Sequence, residues 1–352
     1  MATILDVAKL SGYSKSTVSR VINGKGPVSD RAEKEIKQAM NKLDYTPNYF
    51  AQGMRTNKTN NIAVLIPDYT NPFYPELVKS IEDKSRQYDY MVTICNTDEK
   101  PDQELQYIKE IAKRNIDGII FCTYNRVRKN IDYLLNISNE IPVVFMDKVV
   151  DVNEEISYVI TDGFKGTFKA VEYLIEKGRY NIGYIKGSAR DRVTIERFEG
   201  YRQALNNHDL TYRPKLIYTG NFHMKSGFRG AEKLLKNNKK LDAIMAATDV
   251  MALGALKYLK YAGYSIPEDI NIVGFDNISL SSLIEPGLTT LAQPIKKLGE
   301  LSTEILINKM KNEKSSGKQQ IELEGDLIIR GSTEKEKSNF NILKREEEKI
   351  IY

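Results

Sequence analysis

The chain is poor in the residues that carry most redox, metal and nucleophilic chemistry. Among its 352 residues are two cysteines, Cys95 and Cys122, and two histidines, His208 and His223. Each cysteine sits in a short apolar run, MVTIC at 91–95 and GIIFC at 118–122. Both are expected to be reduced structural thiols in buried strands, as in a bacterial-type cytoplasm, and not members of a disulfide framework. Neither histidine stands at a metal-ligand or nucleophile spacing, so no metal site and no catalytic centre is expected. No GxGxxG follows the first strand, and no glycine-rich loop ends in Gly-Lys; dinucleotide and nucleotide-triphosphate chemistry therefore lack their motifs, and no cofactor is expected. No uninterrupted apolar stretch approaches about eighteen residues, and no charged segment leads into an apolar one at Met1, so neither membrane insertion nor secretion is expected.

What is present is enough for substantial cores: 41% of residues are hydrophobic and 28% charged, room for a small module plus one large or two medium domains. The net charge of +5 is unevenly placed. Residues 1–58 hold ten Lys/Arg against five Asp/Glu, while the remaining residues hold 42 of each. The surplus positive charge thus lies at the N-terminus, as expected if that segment alone meets a polyanion through counterion release.

That segment opens with TILDVAKLSGYSKSTVSRVIN at 3–23, which reads as a helix-turn-helix. Thr3 and Asp6 have the spacing of a capping box, Val7 and Ala8 supply an inward face, and Gly12 permits a turn. Ser14 is placed to cap a second helix, in which Val18, Val21 and Ile22 fall at i, i+3, i+4. Burying those three leaves Lys15, Ser16, Ser19, Arg20 and Asn23 on the opposite face, where they can reach base edges and phosphates in a major groove. VSDR at 28–31 opens a third helix, with Ala32, Ile36, Ala39, Met40 and Leu43 on one side. Residues 48–58 include Gly53 and several Asn and Thr, so their intrinsic helicity is marginal and they read as a hinge.

From Asn61 apolar strands alternate with amphipathic helices. Strands are expected at 62–66, 91–95, 118–122 and 142–146, with helices over 74–88 and 102–114. The pattern resumes with strands at 182–185, 215–218, 242–247 and 270–275. Buried strands alternating with helices imply parallel sheets, and two such sheets place a small ligand at the carboxyl ends of their strands, where the lobes meet.

The chain resembles the lactose-repressor (LacI/GalR) family of bacterial transcription regulators over about residues 1–333. The motifs are the opening helix-turn-helix, YTPN with AQGM at 45–48 and 51–54, NPFY at 71–74, RFEGY at 197–201, TDVMALG at 248–254 and IPEDINIVGFDN at 266–277. The resemblance implies a fold of the α/β class: an all-α head over 1–46 and a hinge over 47–60, followed by a periplasmic-binding-protein-like core of two doubly wound parallel-sheet lobes. The first lobe is expected over 61–160 and 293–321, the second over 161–292 and 322–333, and a disordered or weakly helical tail over 334–352. It also implies a cytoplasmic, non-enzymatic repressor, a homodimer on a pseudopalindromic operator of double-stranded DNA. Lys15, Ser16 and Arg20 match positions that read bases; Thr3, Thr17, Ser19, Asn23 and Arg55 are taken as further DNA contacts. Met54 stands at the hinge position that wedges into the minor groove, where the family usually has Leu. With Gly53 before it, costing up to about 1 kcal/mol of helix propensity relative to Ala, the hinge is expected to depend on the dimer and on DNA for its order.

In the core, the resemblance makes Phe73, Tyr74, Arg197, Phe222, Thr248 and Asp276 the effector-binding residues. Aromatic faces with Arg and Asp suit a sugar, which offers hydroxyls and weakly apolar CH faces. Thr161-Asp162 and Thr248 depart from the family's usual residues, and Arg190, Asp191 and Arg192 would favour an anionic effector if they faced the cleft. A purine or phosphoprotein corepressor in place of an inducing sugar stays open, as does a plain sugar-binding protein.

Overall fold

The computed structural model describes residues 2–24, 26–45, 59–114, 116–122, 127–147, 156–188, 192–311 and 317–335, with the backbone alone at Asn23 and Arg192. It divides into two compact units, Met1–Thr59 and Asn60–Tyr352.

In the first unit, α1 (Ile4–Ser11), α2 (Lys15–Asn23) and α3 (Asp30–Lys42) form a three-helix head. The local signals act as their residue types dictate. The Asp6 carboxylate accepts from the Thr3 N–H and hydroxyl at 2.8 and 2.7 Å, and Thr3 Oγ1 accepts from the Asp6 N–H. Gly12 takes φ 75° between the helices, Ser14 Oγ accepts from the Thr17 N–H, and Ser29 caps α3. Val7, Val18, Ile36 and Ala39 make the small core, with Val21, Ile22, Met40 and Leu43 half-buried around it.

The second unit contains two six-stranded sheets. The first is built from β1 (Asn61–Ile66), β2 (Met91–Asn96), β3 (Gly118–Phe121), β4 (Val143–Met146), β5 (Ser157–Thr161) and β11 (Gln320–Leu323). Their order is β11-β5-β4-β3-β1-β2, parallel throughout. Helices α4 (Phe73–Arg86), α5 (Pro101–Lys113), α6 (Arg128–Ile137) and α12 (Ile295–Met310) belong to this lobe. The second sheet, ordered β12-β10-β9-β8-β6-β7, uses β6 (Ile182–Lys186), β7 (Ile217–Thr219), β8 (Ala243–Ala246), β9 (Asn271–Asp276), β10 (Thr289–Ala292) and β12 (Asp326–Ile328). With it go α7 (Gly163–Glu176), α8 (Arg192–Asn207), α9 (Met224–Asn237), α10 (Asp249–Tyr261) and the single turn α11 (Leu280–Leu283).

Several expectations shift. β12 runs antiparallel to β10, so the second sheet is not wholly parallel. Pro214 opens a 3-10 turn over 214–216, and the strand expected at 215–218 starts later, at Ile217, because proline cannot donate to a ladder. β2 is an edge strand with Met91 75% exposed, not a buried one. The lobe boundaries move as well. Thr161 and all of Gln320–Leu323 pair within the first sheet, so the chain leaves that lobe after Thr161 and after Leu323. Asn60 already belongs to the core, its N–H donating to Asp117 Oδ2 at 2.9 Å; residues 47–58 of the expected hinge lie outside the described residues. Of the expected tail, Glu334 and Lys335 are tied down by ion pairs to Lys177 and Glu268, and 336–352 lie outside the described residues. Cys95 and Cys122 are buried and not joined to each other, and burial pushes the Cys95 thiol up to about 11.

Close helix packing in the second lobe rests on glycine. A Cβ at Gly254 in α10 would come 2.0 Å from the carbonyl oxygen of Met224, and one at Gly227 in α9 would come 2.0 Å from that of Met251. Gly254→Ala is therefore expected to force the two helices apart and destabilise the core by about 1–3 kcal/mol. Urea unfolding reads this directly, and an unchanged midpoint with an unchanged slope would sink it.

Candidate functional site

Each unit carries one candidate surface. On the head, α2 presents Lys15, Ser16 and Arg20 as exposed side chains, with Thr17 and Ser19 half-buried and Thr3 exposed at the start of α1. Ser14 Oγ lies 2.7 Å from Ser16 Oγ and 2.8 Å from Thr17 Oγ1, so these hydroxyls form a chain at the helix N-terminus. Burial of Val18 fixes which face remains outward. Met54 and Arg55, like Gly53, lie outside the described residues, as does the Asn23 side chain.

The second surface is a small cavity between the lobes, lined by Asn71, Phe73, Tyr74, Asp147, Arg197, Phe222, Thr248, Asp276 and Gln293. All six core residues expected from the sequence are in this set. All but Arg197 arrive from the carboxyl end of a strand or from the segment that follows it. Phe73 and Tyr74 start α4 after β1 and meet edge to face at 5.1 Å. Phe222 follows β7, Thr248 follows β8, and Asp276 ends β9. Arg197 projects from α8 and is 4% exposed.

The electrostatics centre on Arg197 and Asp276. The guanidinium lies 3.6 Å above the Phe275 ring, donates through Nη1 to the Ala247 carbonyl oxygen, and stands 4.0 Å from Asp276 Oδ1. The same carboxyl oxygen accepts from Gln293 Nε2 at 2.8 Å. Arg197 Nε and Gln293 Oε1 are buried and find no hydrogen-bond partner among the described residues, which marks them as groups for a ligand to satisfy. Three lining residues, Asp147, Phe222 and Asp276, hold positive φ angles of 61°, 67° and 128°. Such backbone costs about 1–3 kcal/mol per residue and persists where surrounding structure enforces it, commonly at binding sites.

Thr248 also has a structural duty, because its hydroxyl accepts from the Met251 N–H and caps α10. The adjacent Asp249 is wholly structural: fully buried, it accepts from the Ile278 N–H and the hydroxyls of Ser281 and Thr290. Asp162, which departs from the family's usual residue, caps α7 by accepting from the Lys165 N–H. Asn71, Asp147 and Gln293 were missed in the sequence. Asn71 lies inside the NPFY motif, whereas Asp147 follows the short apolar strand β4 and Gln293 the half-polar β10, with no local signal of their own. Arg190, Asp191 and the Arg192 side chain lie outside the described residues.

Burial pushes the Asp276 carboxyl up to about 8, with the Arg197 guanidinium opposing and the Asp249 carboxyl adding to the rise. Asp276 therefore keeps its proton in the folded chain at pH values where an unfolded chain has lost it. Its contribution to stability is complete below the unfolded value of about 4 and is lost as pH rises through about 8. Between these limits the melting temperature should fall more steeply with pH in the parent than in Asp276→Asn. Parallel curves would remove Asp276 as the source.

Residues 59–330 match the family profile for periplasmic binding proteins and the sugar binding domain of the LacI family, and residues 3–48 match that for bacterial regulatory proteins of the lacI family. The ribose operon repressor of Halalkalibacterium halodurans is 35% identical over 333 residues, 95% of this chain and 97% of that protein. A LacI family transcriptional regulator from Enterococcus faecium solved with bound ribose is 30% identical, with a TM-score of 0.70 over 78% of this chain and 98% of that one. The Lac repressor dimer bound to operator and an anti-inducer shares the fold at a TM-score of 0.83 and 24% identity, over 94% of this chain and 99% of that one. Among the described residues no helix is long and apolar enough to cross a membrane. With a capped helix-turn-helix joined in sequence to a two-lobed core, and both parts matched over nearly their whole length, the chain belongs to the LacI family of bacterial DNA-binding transcription regulators.

Proposed function

We propose that this chain acts in the cytoplasm as a homodimeric, non-enzymatic repressor whose two heads occupy half-sites of a pseudopalindromic operator, and whose interlobe cavity takes a neutral sugar or sugar derivative that alters DNA affinity. The observation that carries the reading is the cavity itself: a buried Arg197–Asp276 pair and two unsatisfied polar atoms set among three aromatic side chains. A polyol supplies the missing donors and acceptors, and its CH faces suit Phe73, Tyr74 and Phe222.

The charge balance favours a neutral ligand. The described lining holds one guanidinium beside the Asp147 carboxyl, with Asp276 keeping its proton, so it offers no surplus of positive charge to a phosphate. The cavity is only about 20 Å³, room for about one water molecule, so a sugar enters with movement of the lobes or of the Phe222 ring. Such movement is the differential contact through which a ligand shifts a two-state equilibrium.

The test is capture of fragmented DNA from the source genome by the purified protein at moderate salt, followed by release with neutral and with phosphorylated sugars. A few enriched pseudopalindromic sites, released or tightened by a neutral pentose or hexose, are expected. Retention of nothing specific, with or without metabolite extract, would remove the operator reading. A response confined to phosphorylated sugars would remove the neutral effector.

A further inference from the structure

Outside the cavity, an imidazole and two carboxylates converge at one place among the described residues. Asp68, Glu99 and His223 each offer a ligand atom, and these atoms all lie within 4.8 Å of one another. The residues come from both lobes: Asp68 from the loop after β1, Glu99 from the turn after β2, and His223 from the N-cap of α9. His223 Nε2 lies 3.5 Å from Glu99 Oε2. The two carboxylates are positioned within the first lobe. Asp68 Oδ1 accepts from the N–H and hydroxyl of Thr70 at 2.8 and 2.7 Å, and the Glu99 N–H donates to the Pro67 carbonyl oxygen at 2.9 Å, joining the two loops. His223 alone comes from the second lobe.

We propose that Asp68, Glu99 and His223 form a divalent transition-metal site that bridges the lobes at the mouth of the cleft. One imidazole nitrogen with two carboxylate oxygens suits first-row ions such as Zn²⁺, Co²⁺ or Mn²⁺, whereas Ca²⁺ and Mg²⁺ prefer all-oxygen sets. Three protein ligands leave further coordination positions to water. The site adjoins the cavity through the chain itself, since Phe222 precedes His223 and Asn71 shares the loop after β1 with Asp68, and both Phe222 and Asn71 line the cavity. Because the carboxylates and the imidazole belong to different lobes, the full ligand set exists only when the lobes are together. Cation binding therefore favours closure, and closure by an effector in turn tightens the cation; the linkage is reciprocal.

The test is titration of the full chain with Zn²⁺ at neutral pH by calorimetry, with Co²⁺ absorption as a second readout. One ion per chain is expected, with affinity at least about tenfold weaker in His223→Ala and in Glu99→Gln, and unchanged in His208→Ala. The Co²⁺ bands of the parent should be lost in His223→Ala. His223 is half-exposed and its side chain caps nothing in α9, so metal-free melting of that variant should match the parent and exclude misfolding as the cause. Absence of saturable Zn²⁺ binding up to millimolar concentration, or binding undiminished in His223→Ala, would overturn the site and leave only a histidine–carboxylate contact. Neither operator nor sugar enters the assay, so its failure is separate from failure of the proposed repressor function.

Discussion

Arg197→Leu is expected to abolish measurable effector binding and to destabilise the core by about 1–3 kcal/mol, the scale for leaving a buried polar group without its partner. Three interactions go at once: the hydrogen bond to Ala247, the stacking on Phe275 and the charge facing Asp276. The leucine can refill part of the volume beside Phe275 but satisfies neither the Ala247 carbonyl nor the carboxyl. Asp276 limits the loss by keeping its proton, which burial already favours, so the destabilisation should be smallest in mild acid and grow as pH rises. Urea unfolding at two pH values, paired with calorimetric titration of the sugar identified by operator release, reads both effects. The head forms a separate compact unit, so operator binding should persist and lose its response to the sugar. A variant that binds the sugar normally and unfolds at the parent's midpoint would show that Arg197 is only filler.

The second large effect is expected on the head. Arg20→Ala should leave stability within about 0.5 kcal/mol, because the side chain is exposed and outside the Val7, Val18, Ile36 and Ala39 core. Specific operator binding should nevertheless weaken by about 1–3 kcal/mol per head if the guanidinium reads a base edge, hence about 2–6 kcal/mol for a dimer using both half-sites. Anisotropy titrations with an operator and with unrelated DNA separate the two possible contacts. Loss confined to the operator marks base readout, while uniform loss with a shallower salt dependence marks a phosphate contact. Equal affinity of parent and variant for the operator would remove Arg20 from the interface.

The head was legible because its determinants are local. A capping box needs residues three apart, an amphipathic helix needs i, i+3, i+4, and Gly12 needs no neighbour to adopt φ 75°. Long apolar runs such as 62–66 and 118–121 likewise announced themselves. Less legible were β5, β10 and β11, whose sequences SYVIT, TTLA and QIEL mix polar residues into short strands that gain their place only by pairing. The edge position of β2 and the reversal of β12 were also beyond the pattern, since periodicity carries neither sheet order nor direction. At the cavity, the motifs named Phe73, Tyr74, Arg197, Phe222, Thr248 and Asp276, and the structure brings all six together while their role stays with the proposed function.

The sequence by itself determined the head, its outward basic face and the alternation of strands and helices, since contacts within a few residues and the period of apolar side chains are written in neighbouring letters. Only the tertiary structure decided that Asp147 and Gln293 join Arg197 and Asp276, or that Asp68 and Glu99 meet His223. Those meetings depend on crossovers after Thr161, Ala292 and Leu323 that carry the chain between the two sheets, and groups brought together that way share no period, spacing or local hydrogen bond that a linear chain could display.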